Sequence, residues 1–221
     1  NSINDEKGEE NARQAIILLE NRNIDLENEV IMYILGLMYE KGLGVEQNYN
    51  TALQNYQGAA NKGDTYAKVR LGRMYLEGLG VQQNYNIARD YFEQAADLGN
   101  SEATYQLGRM YLKGLGVQQD YNRARDYFEQ AADLGNSEAT YQLGRMYLEG
   151  LGVQQDYNRA RDYFEQAENL GNPKATYLLG RMYLEGLGVQ QDYKKVKDYL
   201  RKLGKQKSTY EIDTQGRIHI I

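Results

Sequence analysis

A chain of 221 residues, of which 41% are hydrophobic and 26% are charged, can bury a sizeable core and has the composition of a folded globular protein. The absence of cysteine excludes disulfides, thiolate nucleophiles and cysteine-ligated zinc. No apolar run approaches the roughly 18 residues that cross a bilayer. A net charge of −5 lacks the basic surface that nucleic-acid backbones require. We therefore expect neither a membrane span nor a nucleic-acid partner.

The first predicted element is a helix near the N-terminus. Ala12, Ile16 and Leu19 recur at helical spacing within residues 4–22. The sequence before residue 28 does not share the pattern of the residues that follow it, and the end units of repeat proteins are usually atypical. We predict that residues 1–27 form an N-terminal capping helix.

Residues 28–203 repeat with a period of 36 residues, and the register never slips. A leucine precedes each of the five glycines that mark the period, which are Gly36, Gly72, Gly108, Gly144 and Gly180. This periodicity predicts a repeat domain of about five similar units.

One repeat, residues 100–135, predicts two antiparallel helices. Asn100 is a candidate N-cap for the first helix, which is expected to end at Gly114 because glycine adopts the left-handed conformation of a helix C-terminus. Asp120 is a candidate N-cap for the second helix, which is expected to end at Gly135. The apolar stripe of each helix can be buried only if neighbouring repeats stack, so the predicted fold class is all-α.

The sequence of this repeat resembles the Sel1-like repeat, a relative of the tetratricopeptide repeat. The resemblance covers about residues 28–203 and rests on Leu107-Gly108, Tyr111, Gly114-x-Gly116-Val117, Asp120-Tyr121, Ala124, Tyr127-Phe128, Ala131-Ala132 and Gly135-Asn136. It implies a right-handed α-solenoid, that is, a superhelix of about five helix-turn-helix repeats. It also implies a scaffold or adaptor that binds a protein or peptide in its concave groove, often in bacterial signalling or host interaction, and it suggests a periplasmic or secreted location.

Two other functions remain as alternatives. Some cysteine-rich members of this family are linked to β-lactam binding, so a ligand-binding or β-lactam-hydrolysing protein is one of them. Those members depend on disulfide-paired hairpins, whereas this chain has no cysteine. A purely structural spacer within a larger protein is the second alternative.

Residues 204–221 have a different pattern and form a predicted C-terminal tail. Apolar residues alternate at Tyr210 and Ile212 and again at Ile218 and Ile220, with a turn-forming Asp213–Gly216 between them. This pattern predicts a strand or a hairpin. We expect the tail to dock on its own last repeat, on a neighbouring molecule or on a further domain, so self-association through the tail is one hypothesis.

The residues that could carry chemistry repeat with the scaffold instead of forming one unique cluster. The Gly-Leu-Gly turns follow helices, whereas a dinucleotide fingerprint follows a strand. His219 is the only histidine, and Asp90, Asp126 and Asp162 recur beside an arginine on the second helix of successive repeats. We therefore predict no catalytic residue, no metal site and no cofactor, and we expect that the protein is not an enzyme.

The first helix of each repeat carries a second set of residues, opposite its apolar stripe, that recurs along the chain. We call this set the first-helix ladder, and we predict that it binds the partner. Its members are Tyr33, Arg73, Leu76, Tyr105, Arg109, Leu112, Tyr141, Arg145, Leu148, Tyr177, Arg181 and Leu184. The alternative is that the tyrosines pack between repeats and that the arginines pair with Glu102, Glu138 or Glu149.

Overall fold

The computed structural model of the chain describes residues 28–205, 210–212 and 218–220. Residues 28–205 form ten α-helices in five successive pairs, which confirms the predicted all-α repeat fold. The helices are α1 (Glu29–Lys41), α2 (Tyr49–Asn61), α3 (Thr65–Glu77), α4 (Tyr85–Ala96), α5 (Ser101–Lys113), α6 (Tyr121–Asp133), α7 (Ser137–Glu149), α8 (Tyr157–Asn169), α9 (Pro173–Glu185) and α10 (Tyr193–Lys205). The predicted capping helix of residues 1–27 lies outside the described residues.

The helices begin at the predicted caps, and the first helix of the repeat ends where predicted, whereas the second helix, α6, ends at Asp133, shortly before the predicted Gly135. The side-chain oxygen of Asn100 accepts a hydrogen bond from the backbone N–H of Ala103 at 3.0 Å, which satisfies one of the unpaired donors of the first turn. Asp120 caps α6 in the same way. Helix α5 ends at Gly114, whose φ of 69° lies in the left-handed region that glycine adopts without steric cost.

The described helices lie in two compact units, Asn1–Gln119 and Asp120–Ile221. In the first unit each of the helices α1 to α4 packs against the helix that follows it, and in the second unit each of the helices α6 to α9 does the same. Each unit has its own core of alanines, leucines, methionines and aromatic rings. Small alanines on the facing sides let neighbouring helices approach closely.

At Gly36, Gly72 and Gly144, the glycine at the middle of the first helix lies where an aromatic ring of the second helix approaches. A Cβ atom placed on Gly144 would lie 2.5 Å from Cε1 of Phe164, and one placed on Gly72 would lie 2.6 Å from Cε1 of Phe92. Both rings are fully buried. The contact explains why glycine occurs at these positions despite its low helix propensity.

The cap of α9 has a second role that predicts a measurable difference between two equivalent asparagines. Asn172 accepts from the backbone N–H groups of Lys174 and Ala175, and its amide also donates to the Glu138 side chain at 3.0 Å. We expect Asn172→Ala to lower the free energy of unfolding by about 2 kcal/mol, since a cap and a hydrogen bond to a carboxylate are both lost. The equivalent Asn100→Ala removes a cap alone and should cost about 1 kcal/mol. If urea denaturation gave equal losses of unfolding free energy for the two variants, this would contradict a stabilising role for the hydrogen bond between Asn172 and Glu138.

Residues in the predicted tail form two short paired strands. Strand β1 (Tyr210–Ile212) pairs antiparallel with β2 (Ile218–Ile220), with Tyr210 opposite Ile220. This is the extended form that the alternating sequence favours. Docking of the tail on another surface stays a prediction.

Candidate functional site

The ladder residues of the second unit divide into exposed arginines and inward-facing tyrosines. Arg145 Nη2 lies 2.6 Å from Oε1 of Glu149, and Arg181 Nη2 lies 2.9 Å from Oε1 of Glu185, one helical turn further along. The two arginine side chains are 38% and 45% exposed. The pairing of Arg145 with Glu149 is the one that the alternative interpretation of the ladder foresaw.

The tyrosines of this unit contribute to the core more than to the surface. The ring centroid of Tyr141 lies 5.9 Å from that of Phe164 on the second helix, and Lys174 lies over the Tyr141 ring. Tyr177 is half-buried and hydrogen-bonded to Arg181. Leu184 is exposed and Leu148 is half-buried. The accessible part of the ladder in this unit therefore combines guanidinium groups with one exposed aliphatic side chain.

The ladder residues of the first unit include two buried side chains. Tyr105 and Leu76 are buried, and the rings of Tyr33 and Tyr56 pack with centroids 5.9 Å apart. Leu112 is half-buried. The guanidinium of Arg109 lies over the Tyr105 ring and donates to Gln106 at 2.8 Å. Arg73 is exposed and lies 3.7 Å from Glu77.

The second helices carry arginines of a different kind. Arg125 donates to Asp126 at 3.1 Å, and Arg161 donates to Asp162 at 2.8 Å. Each also lies within 4 Å of a glutamate one turn further along. The same arrangement at the same place in successive repeats is typical of a scaffold, as the sequence predicted for these carboxylates.

A buried carboxylate in the first unit belongs to no predicted site. Glu40 lies near the end of α1, and its side chain is 8% exposed. The hydroxyl of Tyr56 on α2 donates to Oε2 of Glu40 at 2.6 Å, and Nη1 of Arg70 on α3 donates to Oε1 at 3.5 Å. Lys41 Nζ lies 3.3 Å from the same oxygen. Three successive helices therefore meet at one carboxylate.

Aromatic rings surround this carboxylate. Arg70 also hydrogen-bonds the hydroxyl of Tyr33. The ring of Tyr33 lies between those of Tyr56 and Tyr66, with centroid distances of 5.9 and 6.1 Å. The Tyr66 side chain is largely exposed. We call Tyr33, Glu40, Tyr56, Tyr66 and Arg70 the Glu40 cluster.

The electrostatics of the cluster keep Glu40 ionised. Burial by itself raises the pKa of a carboxyl group, but the hydrogen bond from Tyr56 and the charges of Arg70 and Lys41 outweigh it and lower the pKa of Glu40 below its ordinary value. Burial and the adjacent carboxylate raise the pKa of Tyr56, so its hydroxyl stays a donor. The carboxylate is a fixed anion that holds Arg70 in place.

Sequence reasoning missed the Glu40 cluster, although the repeat contains a signal for it. Glu40 stands where the other repeats have Leu76, Leu112, Leu148 and Leu184, and Tyr56 stands where three of them have Phe92, Phe128 and Phe164. The repeat pattern is defined by the residues that the repeats share, so it does not contain Glu40 or Tyr56. A search for positions that depart from the repeat would have found both.

A pocket of about 480 Å³ lies in the second unit beside the loop that contains Gly152. Arg125, Arg159 and Tyr147 are among the residues that line it. Arg125 is held by Asp126, and Arg159 donates to the Tyr147 hydroxyl at 3.2 Å. Both guanidinium groups therefore already have acceptors from the protein.

The Sel1 repeat family matches five consecutive segments of the chain, which are residues 32–64, 65–100, 101–136, 137–172 and 173–208. The chain belongs to the Sel1 repeat family. This confirms the resemblance that the repeat sequence carries. Sel1 repeat proteins are generally scaffolds for protein interaction, and the family is generally non-catalytic.

Solved structures share the Sel1 fold with this chain. A Sel1 repeat protein from Oxalobacter formigenes is 29% identical with a TM-score of 0.78, over 89% of this chain and 78% of that one. The protective antigen c5321 of uropathogenic Escherichia coli is 34% identical with a TM-score of 0.73, over 82% of this chain and 39% of that one. Immunity protein Pa5087 from Pseudomonas aeruginosa is 26% identical with a TM-score of 0.60, over 79% of this chain and 67% of that one.

Curated proteins gave no match to this Sel1 repeat chain. Among the helices that the structure describes, none has both the length and the apolar character needed to cross a membrane. In the same residues, no three His, Cys, Asp or Glu side chains lie close enough together to hold a metal ion.

Proposed function

We propose that this Sel1 repeat protein is an interaction scaffold that binds a peptide or protein segment on the exposed faces of its first helices. In this proposal the ladder arginines bind carboxylates of the partner, and the tyrosines and leucines of the ladder contact its apolar side chains. The observation that carries the proposal is the exposure of Arg145 and Arg181 on equivalent faces of successive first helices in one unit.

The ion pairs of these arginines do not oppose binding strongly. Arg145 and Arg181 pair with glutamates four residues along the same helix, at the solvent-exposed surface. Pairs of this kind stabilise a helix by only about 0.3–0.5 kcal/mol. A partner carboxylate can therefore replace or share the glutamate at little cost.

The ladder tyrosines have a supporting part in this function. Their rings pack against the second helices, as Tyr141 packs against Phe164, so a partner contacts only the part of each ring that stays accessible. Leu184 is 45% exposed and offers an aliphatic contact beside Arg181. Arginine flanked by apolar area is the composition that binding hot spots favour.

The test compares two pairs of arginines within the same unit. Peptides selected from a random phage-displayed library on the wild-type protein are synthesised, and their Kd values are measured by titration calorimetry. We expect Arg145→Ala with Arg181→Ala to weaken binding about tenfold or more, since each change removes a charge-assisted hydrogen bond to the partner.

The control is Arg125→Ala with Arg161→Ala, which removes two arginines with similar ion pairs from the second helices. We expect this variant to bind within about twofold of wild type, as changes outside a contact surface do. Equal weakening in the two variants would contradict binding by the first-helix faces. Loss of helical circular dichroism in the ladder variant would show that its arginines are structural.

A further inference from the structure

We propose that the Glu40 cluster is the main carboxylate-recognition site of the surface described above, and that it binds an aspartate or glutamate side chain next to an apolar residue of a partner segment. This inference rests on the proposed function and says where the preference for acidic partners comes from. The site consists of a guanidinium, Arg70, held in place by a buried anion and flanked by an exposed aromatic ring, Tyr66.

Comparison of the repeats with one another shows that the cluster is specialised. Arg70 stands where the next two repeats have Gln106 and Gln142. Tyr66 stands where the later repeats have Glu102, Glu138 and Lys174. Glu40 and Tyr56 also differ from the equivalent residues of the later repeats. The four side chains contact one another or share Tyr33 as a neighbour. These residues place a buried carboxylate beside a guanidinium, a combination that the equivalent positions of the other repeats lack.

The fold does not need a charge at the position of Glu40, because leucine occupies this position in the other four repeats. Burial of a carboxylate costs desolvation free energy, which its hydrogen-bond partners offset only in part. Leucine in place of Glu40 and phenylalanine in place of Tyr56 would avoid that cost. A buried anion that the repeat can do without indicates a role other than stability. Holding Arg70 is the role that the geometry supports.

The geometry leaves Arg70 able to bind an external carboxylate. One terminal nitrogen, Nη1, is directed to Glu40, and the group also donates to Tyr33. Within the described residues these two are the acceptors that Arg70 contacts, and a guanidinium has five N–H donors. The side chain is 25% exposed, so part of it is open to a second carboxylate.

The charges around the site favour an acidic partner. Arg70, a member of the cluster, and Lys41, which lies beside it, both face the single carboxylate of Glu40, so two positive charges surround one negative charge. Tyr66 is 64% exposed and lies in ring contact with Tyr33. An acidic side chain would meet Arg70 while the neighbouring apolar residue of the partner covers the Tyr66 ring.

The test uses two random-peptide libraries, both amidated at the C-terminus to remove the terminal carboxylate. Every member of one library has an aspartate beside an apolar residue, and the matched library has asparagine at that position. We expect wild type to retain the aspartate library about tenfold better than the asparagine library. Arg70→Gln, which introduces the residue of the next two repeats, should remove most of this preference.

The second variant, Glu40→Leu with Tyr56→Phe, separates positioning from folding. It gives the first repeat the residues that later repeats already pack, so it should fold and be at least as stable as wild type. Arg70 remains but loses its anchor. We expect the preference for aspartate to fall several-fold, whereas a merely structural cluster would leave the preference unchanged.

Each outcome decides between the proposals. If Arg70→Gln keeps the preference and Arg145→Ala with Arg181→Ala loses it, the Glu40 cluster is not the recognition site, although the first-helix faces still bind. If wild type shows no preference but retains peptides in a ladder-dependent way, only the cluster proposal fails. If wild type retains neither library above an unrelated protein, both proposals fail.

Discussion

Gly144→Leu is expected to lower the free energy of unfolding by about 3 kcal/mol or more, because a side chain at this position has no space. A Cβ atom alone would lie 2.5 Å from Cε1 and 2.6 Å from Cδ1 of the fully buried Phe164 ring. Gly144→Ala should therefore also destabilise, by about 1–2 kcal/mol, even though alanine favours a helix by about 1 kcal/mol over glycine. Urea denaturation followed by circular dichroism measures both changes.

Gly180→Ala is the matched control, because it changes the same position of the next repeat. Leu200 stands where the repeat otherwise has an aromatic ring, and a Cβ atom on Gly180 would meet only Cβ of Tyr199, at 3.5 Å. We expect this variant to be as stable as wild type or more stable by up to about 1 kcal/mol. Destabilisation at both glycines, or at neither, would contradict the packing described here.

Glu40 and Tyr56 are expected to show a strong energetic coupling of about 4 kcal/mol in a double-mutant cycle. Tyr56→Phe removes the 2.6 Å hydrogen bond to a buried carboxylate and should cost about 2 kcal/mol. Glu40→Leu leaves the Tyr56 hydroxyl buried without its acceptor and should cost a similar amount. The double variant restores an apolar pair and should equal or exceed wild type in stability.

The pH dependence of this cycle follows from the lowered pKa of Glu40. A carboxyl whose pKa is lower in the folded state stabilises the fold above its unfolded pKa, near 4.5, and loses this contribution as the pH falls through the folded value. The cost of Tyr56→Phe should therefore be full at neutral pH and shrink below about pH 4.5. Additive effects of the two single changes at neutral pH would show that the carboxylate and the hydroxyl are not coupled.

The repeat period and the caps could be predicted from the sequence because they depend on local chemistry. Asn100 caps a helix and Gly114 ends one through contacts within a few residues, and the period places the same contacts in each repeat. Gly144 could likewise be predicted to lie at a close helix contact, since a conserved spacing of glycine inside a helix has few other physical reasons.

The accessibility of the ladder could not be predicted in the same way. Helical periodicity places Tyr105, Arg109 and Leu112 on one side of a helix but does not show how far the neighbouring helices extend over that side. In the structure Tyr105 is buried, whereas the equivalent Tyr141 and Tyr177, one and two repeats later, are half-buried. Burial at the edge of an apolar stripe depends on the neighbouring helices, which a single-helix pattern does not contain.

The Glu40 cluster could not be assembled from the sequence because its members are far apart in the chain. Glu40, Tyr56 and Arg70 lie on three different helices, and only the packing of these helices brings them together. An acidic residue near a helix end is usually solvent-exposed, so Glu40 by itself indicated nothing unusual.

Photo-crosslinking of a bound peptide tests most directly the claim that the first-helix faces bind the partner. A peptide selected on the wild-type protein and carrying a photoreactive residue is irradiated in the complex, and the adducts are mapped by mass spectrometry. We predict adducts in the first helices of the second unit, α7 and α9, and a loss of these adducts when Arg145 and Arg181 are both replaced by alanine. Adducts concentrated in the second helices, α2, α4, α8 and α10, would contradict the proposed function.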